Sequence, residues 1–305
     1  MKRFVAMCTF FLITAAGNGA FAQQGLTRIA DNVYSYVDVK NAGPGNSFAA
    51  NAGIIIGSDG ILVVGTLISA KEAQRFMTDI RKVSSKPIKY VVDTHYHLDH
   101  AFGNGEFAKA GALIISHAAD RDNLEQKGEP TLKRATEFGL SEEDMRGTKI
   151  ALPVLTFTDR MTVYLGKEKV ELLSIGPSHT QGSVLVYLPE RKILFTGDIL
   201  FTDFHPYLGE GDLAGWIRNL DFILSLDVTT IIPGHGPLSG KKDVAQMKEY
   251  LVAFDRKARE LAAKSGDADS IAAELKKVIP ARSQGEFLIP SNVREKYLPA
   301  KALQQ

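Results

Sequence analysis

Short apolar runs closed by glycine, proline or small polar residues recur along the chain and read as buried strands separated by turns. A first group falls at 33–39, 48–56 and 61–64, broken by Gly43-Pro44-Gly45 and Ser58-Asp59-Gly60. The period changes over 69–83, where Ala73, Phe76, Met77 and Ile80 share one helical face and Ser69 stands at the N-cap. A buried strand at 88–92 follows, then a helix starting near Asp99, a strand at 112–116 and a charged helical stretch at 118–146 with the even polarity of a solvated cover. Strands return at 154–157, 161–164, 170–175, 183–188 and 192–196, followed by a helix at 216–226, a last strand at 229–232 and helices at 241–263 and 267–278. Two blocks of strands, each followed by helices, predict an α/β fold: a four-layer αββα sandwich of two mixed sheets with helices on the outer faces. Residues 282–305 lack a clear period and read as a C-terminal arm behind a domain at 23–281.

Composition narrows the setting. A hydrophobic fraction of 45% with 23% charged residues is ordinary for a globular chain. The first residues differ: Met1-Lys2-Arg3 is basic, 4–16 is almost wholly apolar, and Ala20-Phe21-Ala22 has the small-x-small pattern of a signal-peptidase site. Cleavage after Ala22 predicts a periplasmic or secreted protein without a stable membrane anchor, since no later run approaches the ~18 apolar residues of a spanning helix. Cys8, the single cysteine, leaves with that segment, so the mature chain has no disulfide and no thiolate ligand. Its 34 lysines and arginines balance 35 acids, and no basic cluster with interleaved aromatics offers a nucleic-acid groove. A small-molecule substrate is the expected partner; nothing in the pattern speaks to oligomeric state.

The candidate chemistry sits directly behind the 88–92 strand, in His95-Tyr96-His97-Leu98-Asp99-His100. Three of the chain's seven histidines fall in this run, too many for a solvated loop by chance. Imidazole and carboxylate are the ligands zinc takes when no thiolate is offered. Side chains two apart on an extended backbone share a side, so His95 and His97 belong on the loop leaving the strand. His179, Asp198 and His235 each end or follow an apolar run amid glycine, proline and small residues, the composition of a strand-end turn. Each alone reads as a turn residue; together with the cluster they could complete a metal site. His117, outside this pattern, reads as a structural residue at a strand end.

In this order of ligands the chain resembles the metallo-β-lactamase superfamily, with H-x-H-x-D-H, a later histidine, an aspartate and a final histidine in place from about Ile29 to Leu251. The resemblance implies two zinc ions: His95, His97 and His179 at the first, Asp99, His100 and His235 at the second, and Asp198 bridging. The bridging aspartate is similar to the glyoxalase II branch. One departure stands out: Gly65-Thr66 occupies the place where the family has Asp-Thr, a residue that supports the ligand loop from behind without touching metal.

The implied activity is an exported zinc hydrolase in which metal-activated water attacks a carbonyl, β-lactam first and lactone, ester or thioester next, with Asp99 orienting the water. Tyr207, Phe48 and His205 are candidate substrate-binding residues, although packing explains His205 equally well; Phe204 and Trp216 are further candidate walls. Two other readings stand beside it: an iron-dependent oxidoreductase of the persulfide dioxygenase type, and a zinc-holding protein without turnover.

Overall fold

A computed structural model describes residues 25–298; the expected signal segment and Cys8 lie outside them. The chain forms β1 (Thr27–Ala30), β2 (Val33–Ser35), β3 (Gly53–Ile56), β4 (Ile61–Val64), α1 (Ala70–Val83), β5 (Ile88–Val92), α2 (Leu98–Ala101), α3 (Asn104–Lys109), β6 (Leu113–His117), α4 (Ala118–Lys133), α5 (Glu142–Met145) and β7 (Leu155–Phe157). Then come β8 (Arg160–Leu165), β9 (Glu168–Leu173), β10 (Leu185–Leu188), β11 (Ile193–Phe201), α6 (Leu213–Ser225), β12 (Thr230–His235), α7 (Lys241–Ala262), α8 (Ala268–Leu275) and α9 (Leu288–Asn292).

Strands β1 to β7 make one sheet in chain order and β12-β11-β10-β9-β8 the other. Both are mixed. The first is antiparallel from β1 to β4 and parallel from β4 to β7, while the second is antiparallel except for the β11–β12 pair. Because side chains alternate along a strand, each sheet buries both faces. Ile55, Leu62, Val64 and Val92 meet Val170, Leu172, Val186 and Phe195 between the sheets. Their neighbours Ile54, Val63 and Val91 pack outward on Phe76 and Ile80 of α1, and Leu185, Leu194 and Ile231 pack on Trp216 and Leu220 of α6 and Met247 of α7. The sandwich is the αββα architecture expected from the pattern. Ser69 does cap α1, accepting from Glu72 N at 3.3 Å.

Four expectations change on folding. The run at 33–39 is a strand only to Ser35. The run at 48–56 is a strand only from Gly53, because Ser47, Phe48 and Ala49 all take left-handed backbone (φ 54°, 50° and 63°) and reverse the chain. Strand β11 continues past Thr196 to Phe201, every residue buried, and delivers Asp198 from within the sheet. Helix α4 stops at Lys133, and short turns replace the expected continuation to 146. In the 282–305 segment, Leu288–Asn292 and Val293–Tyr297 are helical turns, and Ile289 and Val293 are fully buried in the core that α7 and α8 share. Among the described residues, no helix is long and apolar enough to cross a membrane.

Candidate metal centre

The parallel strands β4, β5 and β6 and the β11–β12 pair end at one edge of the sandwich, and the chemistry-bearing residues collect there. Beyond β5 the chain is extended through His97 (φ −61°, ψ 154°), which turns His95 and His97 to the same side with ring centroids 4.8 Å apart. The single turn of α2 then brings Asp99 and His100 round to the same place. Strand β12 ends on His235 opposite Phe201 of β11. Asp198 passes so close to β12 that a Cβ on Gly234 would lie 1.9 Å from its Oδ1, so only glycine fits there.

The ligand atoms fall into overlapping groups within 4.8 Å of one another: His95, His97 and His179; Asp99, His100 and His235; and His95, His100 and Asp198. His97 Nδ1 and His179 Nε2 are 2.9 Å apart. Asp198 divides its oxygens between the sets, with Oδ2 3.4 Å from His179 Nε2 and 3.7 Å from His95 Nε2, and Oδ1 3.1 Å from His100 Nε2 and 3.5 Å from His235 Nε2. Asp99 Oδ2 lies 3.3 Å from His235 Nε2 and 3.6 Å from His100 Nε2.

These atoms are poorly satisfied by one another. His95 Nε2 and Asp198 Oδ1 are buried without a hydrogen-bond partner, a state a folded interior rarely tolerates. Burial holds His95 and His97 below the usual imidazole range and takes His179 down to about 3, so these rings keep free lone pairs. Burial works against His235 as well, yet Asp198 and Asp99 push it up to about 10. Desolvation opposes ionisation of Asp198 too, but His100, His235 and His95 hold its carboxyl well below the usual range. Converging imidazoles, ionised aspartates and orphaned buried atoms fit a metal-binding centre with nitrogen and oxygen donors.

Residues without a sequence signal of their own hold this arrangement. Asp120 at the start of α4 joins two ligand loops: Oδ2 accepts from Tyr96 N at 3.2 Å and Thr180 Oγ1 at 2.8 Å, and Oδ1 from Gly182 N at 3.1 Å. Behind the first loop, Asn104 donates to Asp93 Oδ2 at 2.8 Å and accepts from Thr66 Oγ1 at 2.9 Å, while Thr66 N donates to His100 O at 2.7 Å. Gly65 has φ +71°, where an aspartate would be strained, and the acid in this network is Asp93, just past β5, whose carboxyl group accepts from Asn104. His235 Nδ1 pairs with Phe48 O at 3.1 Å, which ties the left-handed turn to the last ligand.

The centre opens on a cleft of about 900 Å³, lined by His97, Asp99, Asp198 and His235 at its floor and by Phe48, Tyr207 and Phe204 among its walls. Two expected walls are not there. His205 is buried outside the lining residues, its Nδ1 2.8 Å from Tyr250 Oη, because the strand-like backbone turns it away from its neighbour Phe204. Trp216 packs behind His179, ring centroids 5.1 Å apart, and donates to Ile199 O at 2.8 Å. His117 caps α4, accepting from Ala119 N at 3.0 Å. Sequence reasoning missed Glu210, which accepts from Tyr96 Oη and, at 3.1 Å, from Lys127 Nζ, and lies 4.0 Å from His97 Nε2.

The model of the Metallo-beta-lactamase superfamily matches residues 45–235, from the left-handed turn to the last histidine of the cluster. The chain belongs to that superfamily. Among curated relatives, it is 28% identical over 222 residues to the linear primary-alkylsulfatase of Pseudomonas sp. (strain ATCC 19151), covering 62% of this chain and 42% of that protein. It is 21% identical over 231 residues to the metallo-beta-lactamase type 2 of Bacteroides fragilis, covering 74% and 84%. The chain thus spans less than half of the sulfatase and most of the lactamase. Among solved structures, a metallo-beta-lactamase from Pontibacter korlensis superposes with a TM-score of 0.60 at 19% identity over 74% of this chain and 98% of that one. A sec-alkylsulfatase from Pseudomonas sp. superposes with a TM-score of 0.65 at 20% identity over 90% of this chain and 50% of that one. Both likenesses concern the fold. Superfamily membership and the buried histidine–aspartate cluster agree on a hydrolase-like protein with a donor set suited to metal ions.

Proposed function

We propose that the protein is an exported, zinc-dependent hydrolase that cleaves a small carboxylic acid derivative carrying an apolar group. β-Lactams are the first class to test, followed by esters, lactones and thioesters. The observation that carries the reading is the division of the Asp198 oxygens between two sets of histidines at the floor of an aromatic-walled cleft. A donor set of imidazoles and carboxylates without thiolate supports zinc. His95, His97 and His179 would hold one ion, Asp99, His100 and His235 a second, with Asp198 shared.

When bound, such ions supply Lewis acidity and a nucleophile at neutral pH. The chain's own residues do the rest. Asp99 faces the cleft, and burial of its carboxyl is outweighed by His100 and His235, so it stays ionised; its Oδ2 is turned to those histidines, which leaves Oδ1 to take a proton. Lys127 keeps an ammonium proton at the wall for the polar part of a substrate beyond those given to Tyr96 and Glu210, while the Tyr207 hydroxyl donates to Glu295. Phenylalanines around the mouth exclude water from the reacting group.

Zinc-loaded protein should hydrolyse at least one member of a panel of β-lactam, ester, lactone and thioester, and His97→Ala should abolish that turnover with the fold retained by circular dichroism. Full turnover after zinc removal overturns the proposal. Elemental analysis of protein from its own host should give zinc, and iron with thiol-dependent oxygen uptake would replace the hydrolase by a dioxygenase. A second reading, hydrolysis of a sulfate ester, is favoured by the 28% identity to an alkylsulfatase, and a primary alkyl sulfate in the same panel tests it.

A further inference from the structure

Residues 282–298 lie beyond the part of the chain that matches the superfamily, yet they reach the mouth of the cleft. Their anchoring is extensive. Ser283 N donates to Asp203 Oδ1 at 2.9 Å and Ser283 Oγ to Asp203 Oδ2 at 2.5 Å. Gln284 accepts from Ala42 N at 3.1 Å and from His205 N at 2.9 Å, and donates to Val39 O at 3.2 Å. Asn292, fully buried, accepts from Leu208 N at 2.7 Å and donates to Pro206 O at 2.8 Å. Ile289 and Val293 are seated in the core.

Against that background one side chain stands apart. Phe287 is 53% exposed, and the space it borders is the cleft. Its ring lies 6.3 Å from that of Phe48, itself held in the mouth by the left-handed turn. A segment this firmly bonded does not need an exposed phenylalanine for its own stability, and the ring gains most when an apolar group covers it.

We propose that residues 282–298 are a built outer wall of the cleft and that Phe287 is a specificity-determining residue, selecting ligands by the apolar part remote from the centre. The chemical class is an amphiphile with a polar or anionic head at the histidine–aspartate floor and a hydrocarbon group against Phe287 and Phe48. The proposal borrows the cleft from the hydrolase reading but not the reaction.

Butanoate, hexanoate and octanoate, titrated calorimetrically into the wild-type protein at fixed zinc, separate the two. Affinity should rise with chain length, up to about fourfold per added methylene for full burial. Phe287→Ala should flatten that dependence with zinc content and unfolding midpoint unchanged, and Phe287→Leu should restore part of it. Equal chain-length dependence in wild type and Phe287→Ala, or none in wild type, overturns the proposal. If the dependence behaves as expected and no panel substrate is turned over, the hydrolase reading fails and the wall stands.

Discussion

The floor and the mouth of the cleft are built on opposite principles. At and just beneath the floor, Asp198, His235, His95 and His179 are at least 95% buried, and their polar atoms crowd together with few hydrogen bonds of their own. At the mouth, Phe287 and Phe138 are 53% and 40% exposed, apolar rings left in water by a backbone that is otherwise well bonded. Each region carries an unfavourable feature in isolation, and each feature points to what would relieve it: a cation below, an apolar group above. Under the proposed function, the contrast separates the region that would react from the region that would select. Changes at the floor should alter metal retention and kcat, changes at the mouth KM.

The sharpest way to break the contrast is to remove a floor ligand. His179→Ala is expected to lower kcat/KM by at least about a thousandfold, roughly 4 kcal/mol of barrier, together with bound zinc; retention of both in a zinc-quantified assay would show the floor is not the reacting region.

Asp120 tests the floor's support. Burial raises its carboxyl to about 6, so below the unfolded value near 4 it carries a proton in both states. Between about pH 4 and 6 the native state holds the extra proton, so stability falls as pH rises through that window and levels off above it. The drop should be roughly 2 to 3 kcal/mol. Urea midpoints against pH at one zinc concentration should show the slope in wild type and lose it in Asp120→Asn.

Glu210 sits where floor meets wall. Glu210→Gln removes the carboxylate 4.0 Å from His97 Nε2 and should weaken zinc affinity by about tenfold, as outer-sphere partners of ligand histidines do, measured by competition with a chelating dye. At the far end, Phe138→Ala should raise KM for an apolar substrate by a few-fold with kcat unchanged. Its stability should stay within about 0.5 kcal/mol of wild type. A fall in kcat there would mean that mouth and floor act as one.

Much of this was legible in the residues themselves. The runs at 61–64 and 88–92 became strands with those bounds, because buried strands flanked by turns leave a local mark. The spacing of His95, His97, Asp99 and His100 carried the loop geometry, since only extended backbone followed by a helical turn brings all four to one side. Local pattern had no access to Asp120, Glu210 or Asp93, single acids whose meaning lies in contacts 11 to 114 residues away. Nor could it tell that His205 faces Tyr250 while its neighbour Phe204 faces the cleft.

What the sequence determined by itself was the two-block strand pattern and the identity and order of the candidate ligands, because hydrophobic period and side-chain chemistry are properties of the chain at each position. The tertiary structure alone decided which oxygen of Asp198 meets which histidine, which acids brace the loops, and that a tail without pattern becomes a wall. Those are matters of distance between segments far apart in the chain, and only packing of the two sheets sets such distances.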